Sequence, residues 1–293
     1  MNEAELLDAA ARALGRGIER SGRVGGGDIN DAWALELEGG GRAFLKSRSG
    51  APEDEFGAEA AGLRWLGEPG GLPVPEVLAV IDDDGERGLV LEWVERGALG
   101  AAGEEELGRG LATIHAAGAD AFDALPPDSP REELRFGGGE VESHGGDRWA
   151  EVYAARLERL ARAALGRGAI SERCAGLVAQ VCARMDELGG PDERPARVHG
   201  DLWSGNVLAG ADGRPWLIDP KAHGAHREMD LAMLDLFGSV SGRTLAAYDE
   251  VWPLDEGRGE RVGLWQLQPL LVHAILFGGS YGAAVERVAA GYA

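Results

Sequence analysis

The stretch HGDLWSGNVLAGADGRPWLID, residues 199–219, constrains this chain more than any other. An acid, Asp201, stands five residues before an amide, Asn206, and a second acid, Asp219, ends the strand-like WLID thirteen residues further on. That spacing lets one loop present Asp201 while Asn206 turns toward a shared point. Asp219 then arrives from the end of a strand in the adjacent hairpin. A fold that serves this strip needs a loop, a short hairpin and a core to hold both.

The rest of the chain supplies two contrasting regions. Residues 3–20 have Leu6, Leu7, Ala10 and Leu14 at helical spacing, and a glycine run, Gly25, Gly26 and Gly27, follows. Strand patterns at 32–38 and 43–48 flank a Gly39-Gly40-Gly41 turn, and an amphipathic helix spans 53–66 with Pro52 near its start. EVLAVID and then 88–94 read as another hairpin. After Val94 helices dominate, at 104–118, 147–165 (with Asp147 as N-cap) and 171–188, before the short strands ARVHG and RPWLID. The segment 119–146, with three prolines, reads as loop. The expected fold class is α+β in two lobes: an antiparallel-sheet N-lobe, 1–94, with one key helix, and a mostly helical C-lobe, 95–293, joined by a hinge at 92–97.

Composition narrows the partners. Among 293 residues, 50 acids against 29 bases give a net charge of −21, which argues against nucleic acid and anionic membrane, both of which reward dense basic patches. The acidic balance suits steering of a cationic, amine-bearing substrate, and it suits plain solubility. Only two lysines occur, Lys46 and Lys221, against 27 arginines, so a lysine at a motif position carries weight. Cys174 and Cys182 lack metal or disulfide-scaffold spacing and read as buried thiols of a reducing compartment. The N-terminus lacks the pattern of a signal peptide, and the apolar stretch 264–277 is broken by Gln266, Gln268, Pro269 and His273. A cytoplasmic protein is the expectation.

Phosphoryl transfer fits these residues, because it asks for few groups in strict placement: an acid on the attacking hydroxyl, oxygen ligands for Mg²⁺, and a lysine on the ATP phosphates. HGDLWSGN matches the kinase catalytic-loop frame H-x-D-L-x-x-x-N. Lys46 lies on a strand of the first lobe and Glu59 on the next helix, where the two could pair; Glu55, one turn earlier, competes for that role. The amides of Gly25–Gly27 could cover phosphates, and Glu92 and Val94 stand where a hinge offers a backbone carbonyl and amide to adenine.

The chain resembles the fructosamine-3-kinase (ketosamine kinase) family, within the aminoglycoside-phosphotransferase-like kinases. LGRGLATIH (107–115), HGD and ID carry the wider likeness. HGDLWSGN, IDPKAHGAHREMDLAMLDLFG (218–238) and LLVHAILFGGSY (270–281) carry the narrower one. The resemblance implies Asp201 as catalytic base, Asn206 and Asp219 as Mg²⁺ ligands, and Lys46 with Glu59 as the phosphate-anchoring pair. It implies ATP-dependent phosphorylation of the 3-hydroxyl of a ketosamine, after which the adduct breaks down and the amine is released. Gly200 replaces the arginine of the protein-kinase HRD, and no long activation segment follows Asp219. No phosphorylation switch of the usual kind is expected.

Other residues admit two readings. Trp203, beside the base, could stack on the acceptor or pack under the loop. His223-x-x-His226 with Glu228 has metal-like spacing, but a structural role is the simpler reading; Asp230 could cap the following helix or brace the catalytic loop; His115 reads as a satisfied core histidine. Lys221 lies near the metal site. An aminoglycoside- or choline-type phosphotransferase is the alternative within the same chemistry, and a catalytically inactive nucleotide-binding module is the alternative of another class. Oligomeric state stays open.

Overall fold

The computed structural model describes residues 3–25, 30–83, 85–136, 138, 141–236, 238 and 240–293. Five antiparallel strands form the first sheet, in the order β1-β2-β3-β5-β4. They are β1 (Ile18–Arg23), β2 (Asp31–Leu37), β3 (Arg42–Ser47), β4 (Val77–Asp83) and β5 (Glu86–Glu92). Alternation along β2 buries Trp33, Leu35 and Leu37, which meet Leu6, Ala9 and Ala10 of helix α1 (Glu3–Leu14) on one face of the sheet. The opposite face carries Phe44 of β3 and packs Leu89 and Leu91 on Phe56, Ala60 and Leu63 of helix α2 (Glu55–Gly67). Lys46 is two residues beyond Phe44 and shares its face, so the β3 pleat points the lysine at α2.

The helix expected over 3–20 stops at Leu14, and residues 18–20 belong to β1. Gly15, with φ +64°, supplies the left-handed residue that ends the helix. β1 lacks an apolar face because it is an exposed edge strand, so alternation could not announce it.

The second region is helical: α3 (Ala101–Ala117), α4 (Trp149–Gly166), α5 (Glu172–Ala183), α6 (Met185–Leu188), α7 (Glu228–Leu236), α8 (Gly242–Val251), α9 (Arg258–Phe277) and α10 (Tyr281–Ala289). The helix expected over 171–188 is broken at Arg184 between α5 and α6. Residue Asp147 does not cap α4: the N-cap position is Arg148, with no side-chain cap bond. Within 119–146, expected as loop, strands β6 (Leu134–Phe136) and β7 (Val141–Ser143) pair as a hairpin. Four short strands, rather than two, surround the 199–219 strip: β8 (Ala196–Val198) pairs with β11 (His223–Ala225), and β9 (Val207–Ala209) with β10 (Pro215–Leu217). Among the described residues, no helix is long and apolar enough to cross a membrane.

Several buried polar groups inside this region find partners, although Asp123 Oδ2 and the Trp149 indole N–H do not. Pro269 lacks an N–H for the Trp265 carbonyl one turn back, and the buried Tyr153 hydroxyl lies 3.1 Å from that carbonyl oxygen. Arg156, fully buried, donates to Asp123, to Gln268 Oε1 at 2.6 Å and to Ser143 Oγ at 3.1 Å. Glu228 accepts from Arg261 and from the Trp265 indole at 2.7 Å. Cys174 and Cys182 are free and buried, and burial pushes their thiols up to about 11 and about 12.

His226 is stacked on Trp265 and accepts at Nδ1 from the Glu228 amide, 3.2 Å away. Burial, the largest influence, drives its pKa down to about 4. The unfolded chain therefore binds a proton there between about pH 4 and pH 6.5 that the folded chain refuses. The stabilisation is complete above pH 6.5 and is lost as pH falls, by about 2 kcal/mol at pH 5 from this residue alone. Urea unfolding followed from pH 7 to pH 5 should show that loss, and His226→Asn should reduce it without abolishing it, because burial also drives His223 down to about 4.

Candidate active site

The strip at 199–219 is laced together by its own backbone. The His199 ring donates from Nε2 to the Ile218 carbonyl at 2.9 Å and accepts at Nδ1 from the Asp201 amide at 3.2 Å. Ile218 N donates to Asn206 O at 3.1 Å, and Lys221 N to His199 O at 2.9 Å. These bonds fix the loop bearing Asp201 against the turn bearing Asp219. Asp219 itself adopts φ +55°, a left-handed conformation that aspartate tolerates better than most residues. The bracing role weighed for Asp230 is present: its buried carboxylate accepts from His199 N at 2.6 Å and Gly200 N at 2.9 Å. His115 is satisfied, bonded to Asp230 at 3.2 Å and to the Tyr248 hydroxyl at 2.8 Å.

Gly200 has φ +80°, and a Cβ there would stand 2.3 Å from the Lys221 carbonyl oxygen. The arginine of the protein-kinase loop has no room at this position.

The first region brings Lys46 to the same place. Its Nζ lies 2.5 Å from Glu59 Oε2 and 2.6 Å from Asp219 Oδ1, with the lysine nearly buried. Glu59, rather than Glu55, is the lysine's partner on α2; Glu55 pairs with Arg48. Burial is the largest influence on Glu59 and pushes its carboxyl up to about 7, with Lys46 pulling the other way. Burial likewise opposes the charge on Lys46, but Glu59 and Asp219 outweigh it and hold the ammonium above its ordinary value. Asp201 is shifted up by burial, against the pull of Lys221, His199 and His273.

Asn206 donates from Nδ2 to the Asp201 carbonyl at 2.8 Å, which commits its nitrogen and leaves Oδ1 for another partner. With the Asp219 carboxylate this gives two hard oxygen donors from adjacent turns, a set that suits Mg²⁺. No group of three or more His, Cys, Asp or Glu side chains placed to hold a metal occurs among the described residues. His223 and His226 have other partners: His223 Nδ1 donates to the Lys221 carbonyl at 2.7 Å, and its ring meets Phe136 edge-on.

The remaining candidates are placed less tightly. Gly25 lies in the open connection between β1 and β2, with no neighbour near a Cβ, and Gly26 and Gly27 fall outside the described residues. The Glu92 amide donates to Glu76 O at 2.8 Å, and its carboxylate accepts from Glu76 N at 3.2 Å. Beyond Val94, Ala211 N donates to Glu95 O and Gly97 N to Ala209 O, both at 2.8 Å, so the connecting segment is strapped to the β9–β10 hairpin. Trp203 rests on Gly205 and stays 39% exposed, so it lies over the loop rather than under it. Lys221 is exposed.

One aromatic cluster had no role assigned from sequence. His273, Phe277 and Tyr281 pack as tilted rings at the end of α9 and the start of α10, with the His273 centroid 5.5 Å and 5.0 Å from the other two. His273 is near enough to act on Asp201, and Phe277 is 57% exposed. The i, i+4 spacing of His273 and Phe277 on α9 is a signal that could have revealed that pair, whereas Tyr281 lies beyond the Gly278-Gly279 break.

Gly200→Ala should destabilise the protein by about 2–4 kcal/mol, from the left-handed backbone and the overlap together. A shifted denaturant midpoint with an unchanged slope would register it.

Comparison with known proteins agrees with this geometry. The fructosamine kinase family model matches residues 4–291. A probable ketoamine kinase of Thermus thermophilus is 33% identical over 284 residues, covering 96% of this chain and 98% of its own. A Thermobifida fusca structure assigned to fructosamine-3-kinase is 37% identical, with a TM-score of 0.87 and 99% of both chains covered. An aminoglycoside phosphotransferase captured with ADP and hygromycin B shares the fold at 16% identity, with a TM-score of 0.63 and 98% of each chain covered. The fold is thus that of the protein-kinase-like phosphotransferases. The chain belongs to the fructosamine kinase family, and with it to the ATP-dependent phosphotransferases.

Proposed function

We propose that this enzyme uses Mg²⁺ and ATP to phosphorylate the 3-hydroxyl of ketosamines, the sugar-derived adducts of amines, and so opens the way to deglycation. The observation that carries the reading is the convergence of Lys46, Glu59 and Asp219 beside the loop of Asp201 and Asn206. In this reading residues 1–94 form the nucleotide-covering lobe and 95–293 the catalytic and acceptor lobe. The free, buried cysteines suit a cytoplasmic setting.

Asp201 orients the acceptor hydroxyl and takes its proton as the oxygen bonds to the γ-phosphorus and the bond to the β-phosphate bridging oxygen breaks. A carboxyl raised by burial is the better proton acceptor. Lys46, held by Glu59, anchors the α- and β-phosphates. Gly25–Gly27 cover the phosphates, and the backbone of Glu92 and Val94 meets the adenine. Asn206 and Asp219 would hold Mg²⁺, which would supply positive charge beside the phosphates. Trp203 and the His273–Phe277–Tyr281 row offer flat faces to a sugar or a protonated amine, and the chain's −21 charge draws such an amine in. With phosphate on the 3-oxygen, elimination becomes easy and the amine is freed.

Phosphorus NMR of transfer to fructoselysine, ribuloselysine and a panel of aminoglycosides tests the reading. The ketosamines should gain phosphate, and Asp201→Asn should lower kcat by about a hundredfold or more. Turnover of aminoglycosides alone would overturn the acceptor assignment. ATP binding without transfer to any acceptor would favour a nucleotide-binding module.

A further inference from the structure

Helix α2 carries Glu59 and packs on the first sheet, yet the helical region holds it at three separate points. At its start, the Arg131 guanidinium meets the Asp54 carboxylate, with Nη2 donating to Oδ1 at 3.3 Å and Nε 3.2 Å from Oδ2. Asp54 occupies the N-cap position of α2 but makes no side-chain cap bond; its carboxylate faces Arg131 instead. One turn along, a Cβ on Gly57 would stand 3.0 Å from Pro130 Cγ, so the helix and the 119–146 segment touch there without space to spare.

At its middle, a Cβ on Gly62 would meet Pro220 and Ala222 at 3.3 Å, immediately after Asp219. At its end, Arg197 of β8 donates to the Trp65 carbonyl at 2.5 Å, pairs with Glu68 at 2.7 Å, and lies 4.5 Å from the Trp65 ring centroid. The Arg197 side chain is 11% exposed.

Glu59 and Asp219 are therefore held against one frame, and Lys46 reaches both of them from the sheet. An N-cap aspartate ordinarily bonds the first amides of its own helix and gives the helix local stability. Here the Asp54 backbone is helical, at φ −86° and ψ −7°, which turns its carboxylate from those amides and leaves it to Arg131. We propose that Arg131, acting through Asp54, is a positioning residue for phosphoryl transfer: it holds α2 on the helical region so that Glu59 meets Lys46 before any nucleotide arrives. The proposal rests on the reading of Lys46 and Glu59 as the phosphate anchor. Arg131 belongs to the same 119–146 segment as the β6–β7 hairpin, whose Phe136 meets His223 edge-on.

A double-mutant cycle decides the matter, using Arg131→Ala, Asp54→Ala and the pair in the full chain. Two readouts are taken below the unfolding transition. One is kcat/KM for ATP, with fructoselysine as acceptor; the other is hydrogen exchange of the α2 amides without ligand. Each single variant should lower kcat/KM about tenfold and speed exchange across 55–67, and the double variant should match the singles, because each side chain acts through the other. Arg131→Lys should recover part of the loss, since it restores the charge without the planar fork. Unchanged α2 exchange in Arg131→Ala overturns the clamp. So does a lowered melting temperature with kcat/KM unaltered, the mark of a purely structural ion pair. Additive effects of the two variants overturn the pairing through Asp54. Faster α2 exchange with no transfer to any acceptor in the parent protein upholds the clamp and removes only the reading of the reaction.

Discussion

One buried carboxylate, that of Asp230, organises the site. It accepts two consecutive backbone amides of the catalytic loop and the His115 ring, and His115 in turn reaches Tyr248. Helices α3, α7 and α8 and the end of β8 thus meet the loop at a single group. Burial alone would favour its neutral form. The His115 bond, the nearby imidazoles and the His199 amide outweigh that effect and hold it below the usual carboxylate range. Hydrogen bonds to a charged group contribute about 1.5–3 kcal/mol each, more than neutral ones. That is enough to hold Gly200 in a conformation which other residues resist. The placement of Asp201 follows from Gly200, and the placement of Asn206 follows from its bond to the Asp201 carbonyl.

The half of the site proposed to bind nucleotide depends on this frame from the other side. β3 carries Lys46 on the face that looks at α2, and the lysine bridges a carboxylate from each region. The connecting segment is held to the β9–β10 hairpin through Glu95 and Gly97, so the backbone expected to meet adenine is continuous with the turn that bears Asp219. Both ends of the cleft are thereby referred to one short hairpin.

Much of this was legible in the residues. Asp201, Asn206 and Asp219 lie within one strip, where spacing alone limits the geometry. Glu59 could be preferred to Glu55 because it sits mid-helix beside an apolar stripe, and the stripe faces the sheet that carries Lys46. Features that depend on distant pairing were less visible. β1 has exposed side chains and no alternation; the β6–β7 hairpin is two strands of three residues inside a proline-bearing segment. Asp147 looked like a cap by position alone, and Asp54 holds a cap position without capping. His273 and Phe277 were readable as an i, i+4 pair, but the influence of His273 on Asp201 depends on tertiary packing that spacing does not report.

The burial of Lys46 has a consequence for the chemical durability of the protein. Unprotonated, accessible amines attack the carbonyl carbon of reducing sugars. Lys46 is enclosed and held protonated by two acids, so it offers no nucleophile to a passing sugar. With 27 arginines in place of further lysines, the chain leaves Lys221 as its one exposed lysine side chain. A member of a family named for sugar–amine adducts thus presents very little surface on which such adducts can form.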